Sequence, residues 1–240
     1  MTLARRAVAE AIGTALLLAA VVGSGIMGER LSGGSVGLAL LANTIATGAA
    51  LVALILAFGP ISGAHFNPAV TVCDASQGGI GWADVPAYIG AQLVGAVVGV
   101  AVANLMFDEP VLALSQHARH GGGQLLAEFV ATFGLLSVVW GCGRLRSATV
   151  VPFAVGAYIT AAYWFTASAS FANPAVTIAR SLTNTFAGIR PADVSGFIVA
   201  QLVGAGAATA LFRWLVPTLP AVAPRVVAKP AERGIGGAHR

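Results

Sequence analysis

The chain has 240 residues, of which 57% are hydrophobic and only 9% are charged, with a formal net charge of +4. A typical soluble domain has about 25% charged residues, so this composition excludes an ordinary soluble globular protein. The 13 basic residues are scattered and stand apart from aromatic side chains, which argues against a nucleic-acid-binding protein. The 30 glycines favour close packing of helices within lipid. The composition therefore predicts a helical bundle in a bilayer.

Apolar segments of spanning length follow one another along the chain. A membrane-spanning helix needs about 20 residues for a hydrocarbon core of about 30 Å. Six segments meet this requirement, at 7–28, 36–58, 84–106, 124–143, 149–170 and 193–216. The first follows Arg5 and Arg6 and is too long for the core of a signal peptide, so we expect it to be retained.

The segments outside these spans carry weaker signals. Residues 217–240 are rich in Pro and Gly without apolar periodicity, so we expect a disordered cytoplasmic tail behind a single membrane domain at 1–216. The two cysteines, Cys73 and Cys142, lack the spacing of a metal site or a redox pair. We expect both to be structural, and the sequence predicts neither a metal nor a cofactor.

The basic residues predict the orientation, because Lys and Arg accumulate in short cytoplasmic segments. Placing both termini in the cytoplasm puts nine of the thirteen basic residues there and leaves four on the opposite side. The nine are Arg5, Arg6, Arg144, Arg146, Arg213, Arg225, Lys229, Arg233 and Arg240, and the four are Arg30, Arg119, Arg180 and Arg190. We expect a multi-pass protein of the inner cell membrane with cytoplasmic termini.

The two halves of the chain repeat each other, at about 5–106 and 124–216. Three short motifs recur in the same order: Ala-Glu at 9–10 and 127–128, Asn-Pro-Ala-Val-Thr at 67–71 and 173–177, and Gln-Leu-Val-Gly-Ala at 92–96 and 201–205. Each half contains three spans, an odd number, so the second half enters the bilayer upside down relative to the first. The repeats are predicted to be inverted.

Each Asn-Pro-Ala begins a short apolar stretch between spans, at 67–76 and 173–183. Ten helical residues rise about 15 Å, half of a hydrocarbon core, so two such half-helices from opposite faces would meet at the midplane. Asn67 and Asn173 fit the N-cap, and Pro68 and Pro174 fit the first helical position. Single copies of this tripeptide are ordinary helix caps, but two copies in inverted repeats indicate a paired site.

The paired caps have a direct electrostatic consequence. Each helix N-terminus carries about half a positive elementary charge, so two facing ends would repel cations and hydrated protons from the midplane. Ala69 and Ala175 are small enough to let the ends touch, and we expect each Asn to keep its amide NH2 free to donate into a pore. Neutral hydrogen-bonding molecules are then the expected permeants.

These motifs, together with the segment Ser-Gly-Ala-His-Phe-Asn-Pro-Ala-Val at 62–70, resemble those of the aquaporin (major intrinsic protein) family from about Arg5 to Trp214. The resemblance implies an all-α integral membrane protein with six transmembrane helices and two re-entrant half-helices. It also implies a channel rather than an enzyme, a pore in every protomer, and a homotetramer in the lipid bilayer.

Two acids and one histidine lie near the predicted pore. Glu10 and Glu128 are intramembrane carboxylates, which can mark proton relays. The family resemblance instead implies that they hold the loop before each half-helix by accepting its backbone amides. His65 could titrate near neutral pH and gate one mouth, or could be hydrogen-bonded within the loop.

The family resemblance also implies a selectivity constriction of four side chains. Counting from the two Asn residues places these at Thr47, Ala161, Ser170 and Val176. Val176 stands where the family usually has an arginine. Arg180 lies one helical turn further on, so it could partly replace that cation in the vestibule, or it could stabilise the end of the half-helix.

The lining is small or medium in size and uncharged, which predicts a wide constriction. This resembles bacterial aquaglyceroporin-like channels that have Val at this position and accompany arsenic-resistance genes. The expected permeants are glycerol-sized polyols, arsenous acid and water, and the competing interpretation is a generalist pore for glycerol, urea and water. An ion-coupled secondary transporter is the alternative, because inverted repeats and broken helices occur there too.

Overall fold

The computed structural model describes residues 1–143 and 150–217. The first half forms three long helices and a short one. These are α1 (Leu3–Leu31), α2 (Val36–Ser62), the short α3 (Pro68–Ser76) and α4 (Val85–Met106). The side-chain hydroxyl of Thr2 caps α1 by accepting a hydrogen bond from the backbone amide of Arg5, and that of Ser35 caps α2 by accepting one from Leu38. Gly63, in the left-handed conformation at φ 94°, ends α2 and turns the chain back toward α3.

The second half repeats this order. It forms α5 (Gly122–Gly143), α6 (Val150–Phe165), the short α7 (Pro174–Arg180) and α8 (Pro191–Leu215). All regular structure in the described residues is helical, as predicted. Five helices, α1, α2, α4, α5 and α8, are long and apolar enough to cross a membrane. The sixth, α6, has 16 residues, and the segment 144–149 before it lies outside the described residues, as does the predicted tail beyond Pro217.

The second half-helix is shorter than predicted. We expected it to reach residue 183, but α7 ends at Arg180. The hydroxyl of Ser181 turns back to donate to the carbonyl of Ile178 at 2.6 Å, and the amide of Ile189 donates to the carbonyl of Arg180 at 3.2 Å. These bonds replace the next helical turn with a loop. α3 spans 68–76, in agreement with the prediction of 67–76.

The packing of the helices follows the repeat. In the first half α1 packs against α2 and α4, and in the second α5 packs against α6 and α8, while α2 meets α6 between the halves. The half-helices α3 and α7 contact each other, and each also packs against a long helix of the opposite repeat, α8 and α4 respectively. The pair thus completes one further transmembrane column.

Glycines in the Gln-Leu-Val-Gly-Ala repeats let the long helices approach closely. A Cβ on Gly95 would overlap the carbonyl oxygen of Ala11 in α1, and a Cβ on Gly204 would overlap that of Phe129 in α5. Small residues at such crossings are characteristic of helix packing in membranes. The third recurring motif therefore brings α4 onto α1 and α8 onto α5.

Ion pairs distinguish the two faces of the bundle. Arg6 pairs with Asp84 at 2.7 Å, joining the start of α1 to the start of α4. Arg30 pairs with Glu109 at 2.9 Å, beyond the far ends of the same helices. The six helices α1, α2, α4, α5, α6 and α8 each cross the bundle once, so the end of α8 lies at the same face as Arg6. Residues 1 and 217 therefore lie at the same face.

Both cysteines are free thiols. Cys73 is buried in a cluster of apolar side chains that includes Trp140 and Val139, and Cys142 packs against the same cluster. Among the described residues, no group of three or more His, Cys, Asp or Glu side chains is arranged to hold a metal ion.

Candidate functional site

The two Asn-Pro-Ala segments begin α3 and α7 with the same geometry. Asn67 has φ −154° and ψ 117°, and its Oδ1 accepts from the amide of Ala69 at 2.9 Å. Asn173 has φ −159° and ψ 115°, and its Oδ1 accepts from the amide of Ala175 at 2.9 Å. Pro68 and Pro174 occupy the first helical turn, where a missing N–H costs no hydrogen bond.

The side-chain amides of the two Asn residues cross between the repeats. Asn67 Nδ2 donates to the carbonyl of Ala172 at 2.8 Å, and Asn173 Nδ2 donates to the carbonyl of Phe66 at 2.7 Å. The expectation that each NH2 is wholly free to serve a pore was wrong, because one N–H of each amide is used in this exchange. The second N–H remains available.

The loops before α3 and α7 share an unusual backbone. Ala64 and Phe66 have φ of 50° and 49°, and the matching Ser170 and Ala172 have φ of 46° and 49°. The left-handed region costs a side-chain-bearing residue roughly 1–2 kcal/mol. Here it directs the carbonyls of Phe66 and Ala172 toward the opposite Asn. The strain thus serves the contact between the repeats.

Glu10 holds the first loop. Its two carboxylate oxygens accept from the amides of His65 and Phe66 at 3.0 and 2.7 Å, from the hydroxyl of Ser62 at 2.6 Å, and from the amide of Gln92 at 2.8 Å. The residue is fully buried. Hydrogen bonds to a carboxylate are worth about 1.5–3 kcal/mol each, enough to offset the backbone strain.

Glu128 holds the second loop in the same way. Its oxygens accept from the amides of Phe171 and Ala172, both at 2.9 Å, and from the amide of Gln201 at 2.6 Å. Gln201 also donates to the hydroxyl of Thr177 at 2.8 Å, as Gln92 does in the first repeat to the matching threonine. The loop-holding role that the resemblance implied for the two acids agrees with these contacts. The glutamines were not singled out from the sequence, although they begin the third recurring motif.

A cavity of about 210 Å³ lies between the repeats, beside the two Asn residues. Pockets for drug-sized ligands run from about 300 to 1,000 Å³, so this cavity suits smaller molecules. One wall is aliphatic and comes from α2, α5 and α6: Leu51, Ile55, Leu56, Leu135, Val139, Val151, Val155 and Ile159. The other carries the loops and caps: Gly63, Ala64, His65, Phe66, Asn67, Ser170, Phe171, Ala172, Asn173 and Val176.

Three of the four residues assigned to the constriction line this cavity: Thr47, Ser170 and Val176. Ala161 does not, because it lies on the exposed side of α6. Tyr163 lines the cavity instead, and its hydroxyl donates to Thr47 Oγ1 at 3.3 Å. Successive helical residues are about 100° apart, so an error of two positions faces nearly the opposite way. Counting back from Asn173 with the family's spacing produced that error.

Arg180 also lines the cavity. Only 2% of the residue is exposed, its Nε–H donates to the carbonyl of Ala187, and its guanidinium carbon lies 3.4 Å from the centroid of the Phe171 ring. Both roles considered from the sequence have a counterpart here, because the side chain secures the loop after α7 and reaches the pore space. We call this end of the cavity the Arg180 mouth.

Arg119 lies behind the same ring and was not identified from the sequence. Its Nε and Nη1 donate to the carbonyls of Gly188 and Ser168 at 2.8 and 3.2 Å, and its guanidinium carbon is 5.1 Å from the centroid of Phe171. Burial lowers the pKa of Arg119. A lone Arg in the long loop between α4 and α5 offers no pattern that sequence reasoning can use.

His65 lies on the other side of the Asn pair, at what we call the His65 mouth. Its Nδ1 is 3.0 Å from Thr71 Oγ1, and its Nε2 is 3.6 Å from Asp74 Oδ2. His65 is 6% and Asp74 1% exposed. The ring is thus hydrogen-bonded within the re-entrant segment, which is the second of the two roles considered from the sequence.

Known proteins resemble the chain in sequence and in fold. The sequence profile of the family described as "Major intrinsic protein" matches residues 1–167. "Aquaglyceroporin AqpS" of Rhizobium meliloti (strain 1021) is 56% identical over 221 residues, which cover 92% of this chain and 94% of that protein. "Probable aquaporin NIP7-1" of Arabidopsis thaliana is 41% identical over 117 residues, 45% of this chain and 42% of that protein. The X-ray structure of the aquaglyceroporin from Plasmodium falciparum matches with a TM-score of 0.70 and 20% identity, over 91% of this chain and 99% of that one.

Proposed function

The chain belongs to the major intrinsic protein family, and on that basis we propose that it is a passive membrane channel for small uncharged solutes. The observation that carries the proposal is the pair of capped half-helices facing one cavity. Asn67 and Asn173 both line the cavity, and the N-termini of α3 and α7 meet beside it. Together the two helix ends supply about one unit of positive potential, which disfavours cations.

The lining of the cavity supports neutral hydrogen-bonding permeants. A solute can hydrogen-bond to Asn67, Asn173 and the adjacent loop while its less polar side passes the aliphatic wall of α2, α5 and α6. Such a division suits molecules with hydroxyl groups and no charge, because burying an ion between apolar side chains is costly. Glycerol-sized polyols and water fit this description.

Arsenous acid is a further proposed permeant. It is a neutral trihydroxy molecule near pH 7 and is comparable in shape to glycerol. Thr47, Tyr163, Ser170 and Val176 place no charge in the proposed constriction, and Val176 is smaller than the family's usual Arg. The 56% identical relative is named an aquaglyceroporin, which is consistent with a pore wider than one for water alone.

The transporter alternative has no support in the site. Intramembrane carboxylates on the permeation path mark the proton relays of pumps and transporters. Glu10 and Glu128 are fully buried, bonded to the loops and glutamines, and absent from the cavity lining. A channel requires no such group.

We propose that the protein lies in the inner cell membrane as a homotetramer with cytoplasmic termini. Arg5, Arg6 and Arg213 belong to the face of the bundle that carries residue 1, and Arg30, Arg119, Arg180 and Arg190 belong to the opposite face. The positive-inside tendency supports a cytoplasmic assignment through the further basic residues that the sequence adds to the first face. Arg144, Arg146 and the basic residues of 217–240 lie outside the described residues. Exposed apolar side chains on every long helix supply the surface for lipid and neighbouring protomers.

Proteoliposomes test the channel directly. Stopped-flow light scattering would compare water, glycerol and arsenous acid fluxes with those of empty vesicles. We expect all three fluxes to rise, without saturation and without dependence on a proton or sodium gradient. Flux that saturates and follows an ion gradient would favour the transporter instead, and no rise for any solute would contradict the proposal.

A further inference from the structure

Two buried polar atoms at the Arg180 mouth have no hydrogen-bond partner within residues 1–143 and 150–217. They are Nη1 of Arg180 and Oγ of Ser170, and both residues line the cavity. Each residue is only 2% exposed. A buried donor without a partner costs about 1–3 kcal/mol, so such groups in a cavity lining call for a ligand.

Both groups are held in place by bonds that leave these atoms unused. Arg180 is fixed by the carbonyl of Ala187 and by the face of the Phe171 ring. The amide of Ser170 donates to Thr166 Oγ1 at 3.1 Å and to Ser168 Oγ at 3.2 Å. Ser170 directly precedes Phe171, whose ring the Arg180 guanidinium contacts. Both side chains are thus held in the lining of the same cavity.

Two guanidinium groups give this mouth a positive charge. Arg119 and Arg180 both approach the Phe171 ring, at 5.1 and 3.4 Å from its centroid. In the described part of the chain neither forms an ion pair with a carboxylate. Glu128 acts on both guanidinium groups through space, without an ion pair, while its oxygens accept the amides of Phe171 and Ala172.

We propose that Arg180 and Ser170 form a solute-binding subsite that donates hydrogen bonds to the oxygen atoms of uncharged polyhydroxy permeants, and that Arg180 supplies the mouth's positive charge one helical turn beyond Val176. The subsite rests on the proposed channel function. The family's usual arginine at position 176 would set both the width and the charge of the constriction. In this chain Val176 sets the width of the constriction, and Arg180 supplies the positive charge.

The chemistry of the two side chains defines the ligand. A guanidinium only donates, whereas a hydroxyl donates and accepts, so the pair matches two neighbouring hydroxyl groups of one solute. Glycerol presents such a pair, and water presents a single oxygen. A metal cation finds no charged acceptor here and meets two guanidinium groups. The subsite therefore favours polyols over water and excludes cations.

The test compares Ser170→Ala and Arg180→Gln with matched controls in proteoliposomes. Ser137→Ala removes a hydroxyl that bonds to the carbonyl of Phe133, and Arg190→Gln removes a charge paired with Asp193; neither residue lines the cavity. We expect the ratio of glycerol to water flux to fall about three- to tenfold in each test variant, the value of one hydrogen bond. The controls retain the wild-type ratio.

A second measurement isolates the charge. In planar bilayers Arg180→Gln is expected to pass a potassium current that wild type lacks. Arg180→Lys keeps the charge but loses the planar fork, so it is expected to stay impermeable to potassium while its glycerol preference falls. If Arg180→Gln does not fold, Ser170→Ala and Arg180→Lys still decide the question.

The outcomes separate the subsite from the channel itself. Wild-type protein without glycerol flux would refute the proposed function. Wild-type flux with unchanged ratios in Ser170→Ala and in Arg180→Lys would overturn the subsite alone. An unchanged ratio together with a potassium current in Arg180→Gln would assign Arg180 to charge exclusion and remove it from solute binding, which also overturns the proposal.

Discussion

Asn67 donates its side-chain amide to the carbonyl of Ala172, the residue before the second Asn, at 2.8 Å. Its counterpart Asn173 returns the bond to Phe66 at 2.7 Å. Each cap therefore has two tasks in the fold, because Oδ1 begins its own helix and one N–H ties it to the opposite repeat. The second N–H is available for the third task that we propose, a hydrogen bond to a solute. Substitutions at these positions act on all three.

Replacing Asn173 with Asp is expected to make the pore conduct cations. The carboxylate keeps the capping oxygen but cannot donate to Phe66, and its charge cancels most of the positive potential of the two helix ends. Electrical recording in planar bilayers or oocytes measures the effect. Asn184→Asp is the control, because this exposed residue uses only its Oδ1, toward the amide of Gln116. An Asn173→Asp variant that folds, conducts glycerol and carries no cation current even when combined with Arg180→Gln would contradict the assigned barrier.

Restoring an arginine with Val176→Arg is expected to lower glycerol flux more than water flux. The longer side chain fills space beside Thr47, Tyr163 and Ser170, and a narrower pore penalises the larger solute first. The same change is expected to reduce the cation current of Asn173→Asp, because it adds a further positive charge one helical turn from Arg180. Stopped-flow flux and electrical recording check the two parts. Equal glycerol-to-water ratios would remove Val176 from the constriction.

The inward face of α6 can be tested with a pair of substitutions. Tyr163→Leu removes the hydroxyl that donates to Thr47 and changes the cavity wall, so the glycerol-to-water ratio is expected to change by about twofold or more. Ala161→Leu alters only the exposed side of the helix and is expected to leave the ratio at the wild-type value. A reversed result would restore the original assignment of Ala161.

Glu128→Gln is expected to destabilise the fold by about 2–3 kcal/mol, the worth of a hydrogen bond to a charged group. The amide NH2 that replaces one oxygen would face the N–H of Phe171 or Ala172, so one donor loses its partner. Thermal unfolding in detergent measures the loss. Glu29→Gln, on an exposed position of α1, is the control and is expected to unfold at the wild-type temperature.

Two glycines of α8 provide a matched test of helix packing. Gly204→Ala places a methyl group against the carbonyl of Phe129 and is expected to cost about 1–3 kcal/mol of stability. Gly206→Ala meets nothing within 4 Å and is expected to gain about 0.5–1 kcal/mol from helix propensity. Thermal unfolding compares the two variants with wild type, and we expect a lower unfolding temperature for Gly204→Ala and a higher one for Gly206→Ala.

Much of the fold could be predicted because the signals were long or repeated. Apolar length located the spans, and recurrence of Asn-Pro-Ala identified α3 and α7 as a pair. Gln92 and Gln201 also recurred, yet their contact with Glu10 and Glu128 requires the crossing of α4 over α1 and of α8 over α5. A repeat reveals which positions are equivalent, but not which ones touch.

The remaining errors of the sequence analysis concern the face of a helix on which a residue lies and the contacts that loops make. Ala161 was chosen by counting, and a shift of two residues exchanged the outside of α6 for Tyr163 on the inside. Arg119 comes from a loop without periodicity, and its position by Phe171 depends on carbonyls of Ser168 and Gly188. Such contacts between distant segments leave no trace in local spacing.

The reciprocal Asn bonds also constrain how the chain is made. Ribosomes synthesise 1–106 before 122–215, so the first repeat enters the membrane while Ala172 and Asn173 do not yet exist. Until they arrive, the amide of Asn67 and the carbonyl of Phe66 have no partner from the other half, in a setting where unsatisfied backbone groups are costly. The newly synthesised first repeat is therefore an incompletely folded intermediate that needs the second repeat to form these hydrogen bonds. If the chain were cut between the repeats, each half would lack the partners for its Asn side chain and its loop carbonyl.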